Sequence, residues 1–155
     1  MSRERNREEL LAGRRIAVLC TEDDDGSAYL TAVWFQWQGD AFLVPTGAAS
    51  RKARNARERP RGAILVDARG PHLHGVAASG PIEILDGERA LALNDRVHRR
   101  YVTDAGMADP ALGGLLEAGD DVTLRLVPER WHTWDMEPFF GTRLADPRLV
   151  HPLDS

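Results

Sequence analysis

Short β-rich apolar runs separated by turn-forming clusters dominate the chain. Residues 4–12 predict a short helix anchored by Leu10 and Leu11, with Gly13 as its stop. Residues 14–22, RRIAVLCTE, predict a buried strand, and DDDGS at 23–27 a turn. AYLTAVWFQW (28–37) predicts one long strand, and Gly39-Asp40 turns it into AFLVP (41–45) as a hairpin. A helix over about 51–59 follows, opened by Ser50 and closed by Pro60. Then come a strand at 61–68 and a longer one at 72–85, with Gly80-Pro81 marking a bulge or kink. Residues 86–102 predict a helix on the spacing of Leu91, Leu93, Val97 and Tyr101, and 108–119 a shorter helix. Residues 121–136 give two strands broken at Pro128, and 137–155 an irregular tail. Six or seven strands with no regular βαβ alternation predict a mainly β fold: an antiparallel barrel or sandwich with peripheral helices.

At 155 residues the chain is expected to be a single domain, since domains commonly span ~100–150. The lone Cys20 excludes a disulfide framework and multi-cysteine metal sites. No apolar run approaches the ~20 residues of a membrane helix, and MSRERNREELLAG is too polar for a secretory signal. A cytoplasmic protein is the expectation. Of 20 basic residues all but Lys52 are Arg, a bias that GC-rich coding explains but that leaves Lys52 to be accounted for.

The basic residues are unevenly placed. SRKARNARERPR (50–61) carries net charge +5 in a chain of net charge −4. Arg51, Lys52 and Arg54 would occupy the first turn of the 51–59 helix, where the helix dipole disfavours cations by ~0.3–1 kcal/mol each. An anion at that end resolves the conflict. Free backbone N–H groups, the Ser50 hydroxyl and the two cationic heads could then converge on a phosphate. Thr46-Gly47-Ala48-Ala49 is small enough for a ligand to approach the backbone. The competing reading is a solvated basic helix paired with acidic neighbours. A nucleic-acid partner is disfavoured by the negative net charge and the small basic footprint.

Strand–turn–strand followed by VPTGAASRKARNARERPRGAILVD resembles the cofactor-binding stretch of the pyridoxamine-phosphate-oxidase-like split β-barrel flavoproteins. The likeness spans roughly residues 10–136, and its compact form is similar to the flavin/deazaflavin oxidoreductases of that superfamily. It implies an FMN-binding-like split β-barrel, antiparallel, usually a homodimer with two interface sites. It further implies that Ser50, Arg51 and Lys52 hold the cofactor phosphate with the Thr46 hydroxyl, and that Asn55 lies within reach. Val33, Trp34 and Phe35 would run along the ring. Pro45 stands where the family often has an aromatic or small residue. His74 and Gly75 would pass the ring's polar edge, and Trp134 would close the site. The extension used for pyridoxal phosphate is missing, so a vitamin B6 enzyme is not expected.

A flavin or deazaflavin performs the redox step itself. Accordingly no acid–base pair, nucleophile elbow or P-loop is needed, and none is evident; the catalytic residues stay unassigned. The resemblance implies coenzyme F420, in preference to FMN, and hydride transfer with a small organic substrate. Alternatives are a non-catalytic flavin or deazaflavin storage protein, a haem-handling barrel, or an interaction module. His72 and His74 would share one strand face, but no third ligand is near in sequence, so no metal is expected. Trp34 and Trp37 would face opposite sides of their strand, with core as the default for all four Trp.

Overall fold

The computed structural model describes residues 3–117 and 121–154. Helix α1 (Arg3–Ala12) leads into strands β1 (Ala17–Glu22), β2 (Ala28–Val33), β3 (Gln36–Trp37) and β4 (Phe42–Gly47). Helix α2 (Arg51–Glu58) precedes β5 (Arg61–Arg69) and β6 (Leu73–Leu85). Helices α3 (Gly87–Tyr101), α4 (Asp104–Ala108) and α5 (Gly113–Leu116) come next, then β7 (Asp121–Leu126), β8 (Arg130–Asp135) and α6 (Glu137–Phe140). No described helix is long and apolar enough to cross a membrane.

The described strands form one antiparallel sheet in the order β2-β1-β5-β6-β7-β4-β3, with β8 also paired to β6. It curls into a split β-barrel with peripheral helices. The long strand β6 joins the two halves. Its residues 73–81 pair with β5 and 82–85 with β7, so the expected kink at Gly80-Pro81 is where it changes partner. A side chain at Gly80 would place Cβ 1.9 Å from the Val127 carbonyl oxygen, so only glycine lets the β7–β8 link pass.

The core lies inside the curl. Leu19, Phe35, Phe42, Val44, Ile64, Val66, Val76 and Leu124 are fully buried there. Inward positions alternate along β1, as a half-buried strand requires. Asn94 on α3 donates to the Val122 carbonyl at 3.1 Å and accepts from Thr123 Oγ1 at 2.6 Å, which locks α3 onto β7 without orphaned polar groups.

Several expected elements change. The strand over 28–37 is two strands: β2 pairs with β1, whereas β3 pairs with β4, so the hairpin spans only two residue pairs. Between them Tyr101 Oη accepts from the Phe35 N–H at 3.3 Å and donates to the Arg15 carbonyl at 2.7 Å, pinning the crossover. Strand β1 starts at Ala17, three residues later than expected. The expected 108–119 helix shortens to α5, and α4, capped by Thr103, occupies 104–108 where no helix is predicted; residues 118–120 lie outside the described residues. Pro110 interrupts the run, and Asp109 Oδ1 accepts from the N–H groups of Ala111 and Leu112 at 2.9 Å. On α3 the buried stripe is Ala90, Asn94, Val97 and His98, while Leu91 is exposed. The tail is not wholly irregular, because α6 and a 3-10 turn (Gly141–Ala145) occupy its first part.

Candidate functional site

Ser50 begins α2 as the sequence predicts. Its Oγ accepts from the Ala53 N–H at 3.3 Å and from the Thr46 hydroxyl at 2.9 Å. Both lone pairs are then used, which leaves the Ser50 hydroxyl proton to donate elsewhere. The N–H groups of Arg51 and Lys52, at the first two helical positions, have no acceptor within the helix. The end of β4 and the start of α2 thus form a small donor-rich corner.

That corner opens on a cavity of about 520 Å³. Val33, Trp34, Pro45, Thr46 and Lys52, all expected on sequence grounds, line it together with Ile16, Ala32, Gly47, His98, Leu115, Leu116 and Asp121. Trp34 is held rigidly: its ring stacks on Tyr101 at 5.0 Å with 2° between planes, and meets the His98 ring edge-on at 6.2 Å. Lys52 is half-buried and has no hydrogen bond or ion pair among the described residues. Burial pushes its ammonium below the ordinary 10.5. Burial likewise lowers His98 below 6.5, against the opposing pull of Asp95 and Glu117, so its imidazole is neutral at pH 7.

The other expected residues lie elsewhere. Arg51 turns away from the cavity. It forms a two-pronged ion pair with Asp23 in the β1–β2 turn, with Nε at 2.9 Å from Oδ1, and its guanidinium sits 4.5 Å over the Tyr29 ring. One of the three first-turn cations is therefore balanced by the chain's own carboxylate, and the Asp23 carboxyl drops below its usual value because of Arg51 and Asn55. Asn55 is buried, and its Nδ2 donates to Thr21 Oγ1 at 3.2 Å and Asp23 Oδ1 at 2.8 Å, fastening α2 to β1. Phe35 is wholly buried against Phe42, so its ring serves the core.

His74, Gly75 and Trp134 sit across the sheet, on paired positions of β6 and β8. The Trp134 ring covers Gly75 so closely that a Cβ there would lie 2.0 Å from it. None of the four Trp is fully buried. Trp37 and Trp131 pack partly buried on the core, Trp34 faces the cavity, and Trp134 lies on the outer sheet face. A separate cleft of about 590 Å³, between Arg7, Trp37, Arg100 and Trp131, contains none of the expected site residues.

Sequence reasoning missed His98, Leu115, Leu116 and Asp121. The available signal for His98 was the i, i+4, i+7, i+8 stripe 90-94-97-98, which places it beside Val97 on the inward face of α3. Leu115 and Leu116 were read only as helix residues.

The sequence profile of the pyridoxamine 5'-phosphate oxidase family matches residues 4–135. No curated protein matches the chain by sequence. Among solved structures, a conserved hypothetical protein from Mycobacterium tuberculosis is 27% identical with a TM-score of 0.71, covering 100% of this chain and 92% of that one. An F420 reductase is 26% identical with a TM-score of 0.59, covering 81% of this chain and 95% of that one. The haem storage protein HutZ of Vibrio cholerae, 19% identical with a TM-score of 0.65 over 87% of this chain and 95% of that one, shares the fold. The match along residues 4–135, together with the split barrel and its agreement with these structures, shows that the chain belongs to the pyridoxamine 5'-phosphate oxidase family.

Proposed function

We propose that the chain is an oxidoreductase that binds F420, with FMN as the second choice, and moves a hydride to or from a small organic substrate. The observation that carries this reading is Lys52: a half-buried cation without a partner among the described residues, at the mouth of a helix start, in a cavity walled by a fixed Trp34 ring. Both cofactors carry a phosphate and a flat tricyclic ring. The phosphate would take the Lys52 ammonium, the Thr46–Ser50 hydroxyl pair and the first N–H groups of α2. The ring would lie along Val33, Trp34 and Pro45. The cofactor supplies the hydride chemistry; the protein's residues bind, orient and exclude water. The preference for F420 rests on the likeness to the F420 reductase.

The proposal includes a second copy of the chain. The outer face of the sheet carries Val18, Leu30, Ala32, Ala63, Leu65 and Ala77 on paired positions of β1, β2, β5 and β6, with Leu30 62% exposed. Gly75 and Trp134 lie on that face and would complete the partner's site, whereas His74 points to the opposite face, where it stacks on His72.

Titrating F420 and FMN into wild type and Lys52→Ala tests the reading. Wild type should bind, and Lys52→Ala should bind at least ~10-fold more weakly, since a hydrogen bond to a charged group contributes about 1.5–3 kcal/mol. Failure of both cofactors to bind wild type, or equal binding by the variant, would overturn it. Hydride transfer across a substrate panel then separates an enzyme from a storage protein.

A further inference from the structure

We propose that His72, Asp135 and Glu137 form a three-ligand site for a divalent metal ion of the zinc class, independent of the cofactor cavity. The three residues come from the start of β6, the end of β8 and the start of α6, and one ligand atom from each lies within 4.8 Å of the other two. His72 Nε2 is 2.7 Å from Asp135 Oδ1 and 3.9 Å from Glu137 Oε2. In a tetrahedral zinc site with bonds of ~2.0–2.1 Å, ligand atoms stand about 3.3 Å apart. The two His72 distances bracket that value, and the Asp135–Glu137 separation, within 4.8 Å, closes by up to about 1.5 Å as the exposed Glu137 side chain turns in. One imidazole and two carboxylates suit zinc, cobalt or nickel rather than calcium or magnesium, which take oxygen ligands alone.

The surroundings are built rather than incidental. His74 stacks on His72 at 4.1 Å, and its Nδ1 is 3.0 Å from the His72 carbonyl, which fixes the ring that would bind. Asp135 Oδ1 accepts the Glu137 N–H at 2.9 Å, and Asp135 Oδ2 accepts from Asn6 Nδ2 at 2.8 Å. Such outer contacts orient metal ligands in known sites.

Asn6 of α1 buttresses the Asp135 end of the cluster. It is only 4% exposed, yet its Oδ1 has no partner among the described residues. Its Nδ2 donates to Asp135 Oδ2 at 2.8 Å, so Asn6 orients the carboxylate that would bind rather than binding the ion itself. A neutral His72 binds through Nε2 with its ring proton on Nδ1. Three protein ligands leave a fourth position for water, and the His72 side chain is 29% exposed.

The experiment uses full-length protein stripped with chelator and titrated calorimetrically with zinc chloride, then with cobalt chloride read by visible absorption. Wild type should bind one equivalent per chain, and the cobalt form should show the strong bands of four-coordination. His72→Ala and Glu137→Gln should each weaken binding at least tenfold, while His151→Ala, on the tail, should not. Glu137 is an exposed side chain, so its variant keeps the fold and reads the site alone. No stoichiometric binding by wild type, or unchanged binding in either His72→Ala or Glu137→Gln, overturns the assignment.

Discussion

The lysine that the arginine-rich composition leaves unexplained proves to be the half-buried cation of the cavity, whereas Arg51 beside it is consumed by Asp23. The pattern of residue types could not separate the two, because the Asp23 carboxylate reaches α2 only through the β1–β2 turn. The depressed Lys52 pKa has a direct consequence. A bound phosphate favours the ammonium and raises its pKa, so anion affinity is full below the free protein's Lys52 pKa. It falls as pH rises from there towards and beyond 10.5. Affinity measured from pH 7 to 10 should decline in wild type and stay flatter in Lys52→Ala. His98 gives the opposite test, on stability. Its folded pKa lies below 6.5, so the unfolded chain binds the proton first, and stability is lost as pH falls from 6.5 to the depressed value. His98→Gln should flatten the urea midpoint over that range. The Asp23 and Glu129 carboxyls, which start from 3.8 and 4.5 and are lowered, act further down and leave the window clear.

Elements with strong local punctuation were legible in the sequence. Helix α2 starts at the expected Ser50 cap, and β6 bends at the expected Gly80-Pro81. What failed was local pattern set against long-range pairing. AYLTAVWFQW is uniformly strand-like, yet Trp34 and Phe35 carry the chain from β1's neighbour to β4's, a choice made by Tyr101 some 66 residues away. The inward stripe of α3 was misread because Asn94 and His98 are polar residues buried on specific partners, not apolar ones. The cavity followed suit: its β2, β4 and α2 wall was legible, while the wall from α3 and α5 depended on that packing. The Gly80 junction makes a sharp forecast. Gly80→Ala forces Cβ onto backbone at 1.9 Å, which has no flexible side chain to yield. It should destabilise by about 3 kcal/mol or more, at the top of the overpacking range, whereas Gly114→Ala, which meets nothing within 4 Å, should change chemical-denaturation stability little.

At the scale of the whole molecule the sheet has two faces with different fates. The inner face is covered by α1 and α2 and holds the core, while α3 packs on the opposite face of β4 and β7, where Thr123 meets Ala90 and Asn94. On β1, β2, β5 and β6 the outer face pairs Val18 with Ala32 and Leu65, Cys20 with Leu30 and Ala63, and Leu65 with Ala77, with no described helix packed across that stretch. A contiguous apolar sheet surface of this kind on a monomer marks an interaction site. Symmetry makes a self-complementary contact between two identical faces the simplest cover. The proposed dimer therefore predicts a linked loss. Leu30→Glu/Leu65→Glu would set like charges on both copies across the two-fold axis, and neither side chain belongs to the inner core. Sedimentation should show wild type at twice the chain mass of 17.2 kDa and the variant at that mass. The circular dichroism of the variant should be unchanged. Cofactor affinity should fall in the same variant, because Gly75 and Trp134 would no longer reach the partner's cavity. A monomeric wild type, or a monomeric variant with full affinity, would place the whole site within one chain.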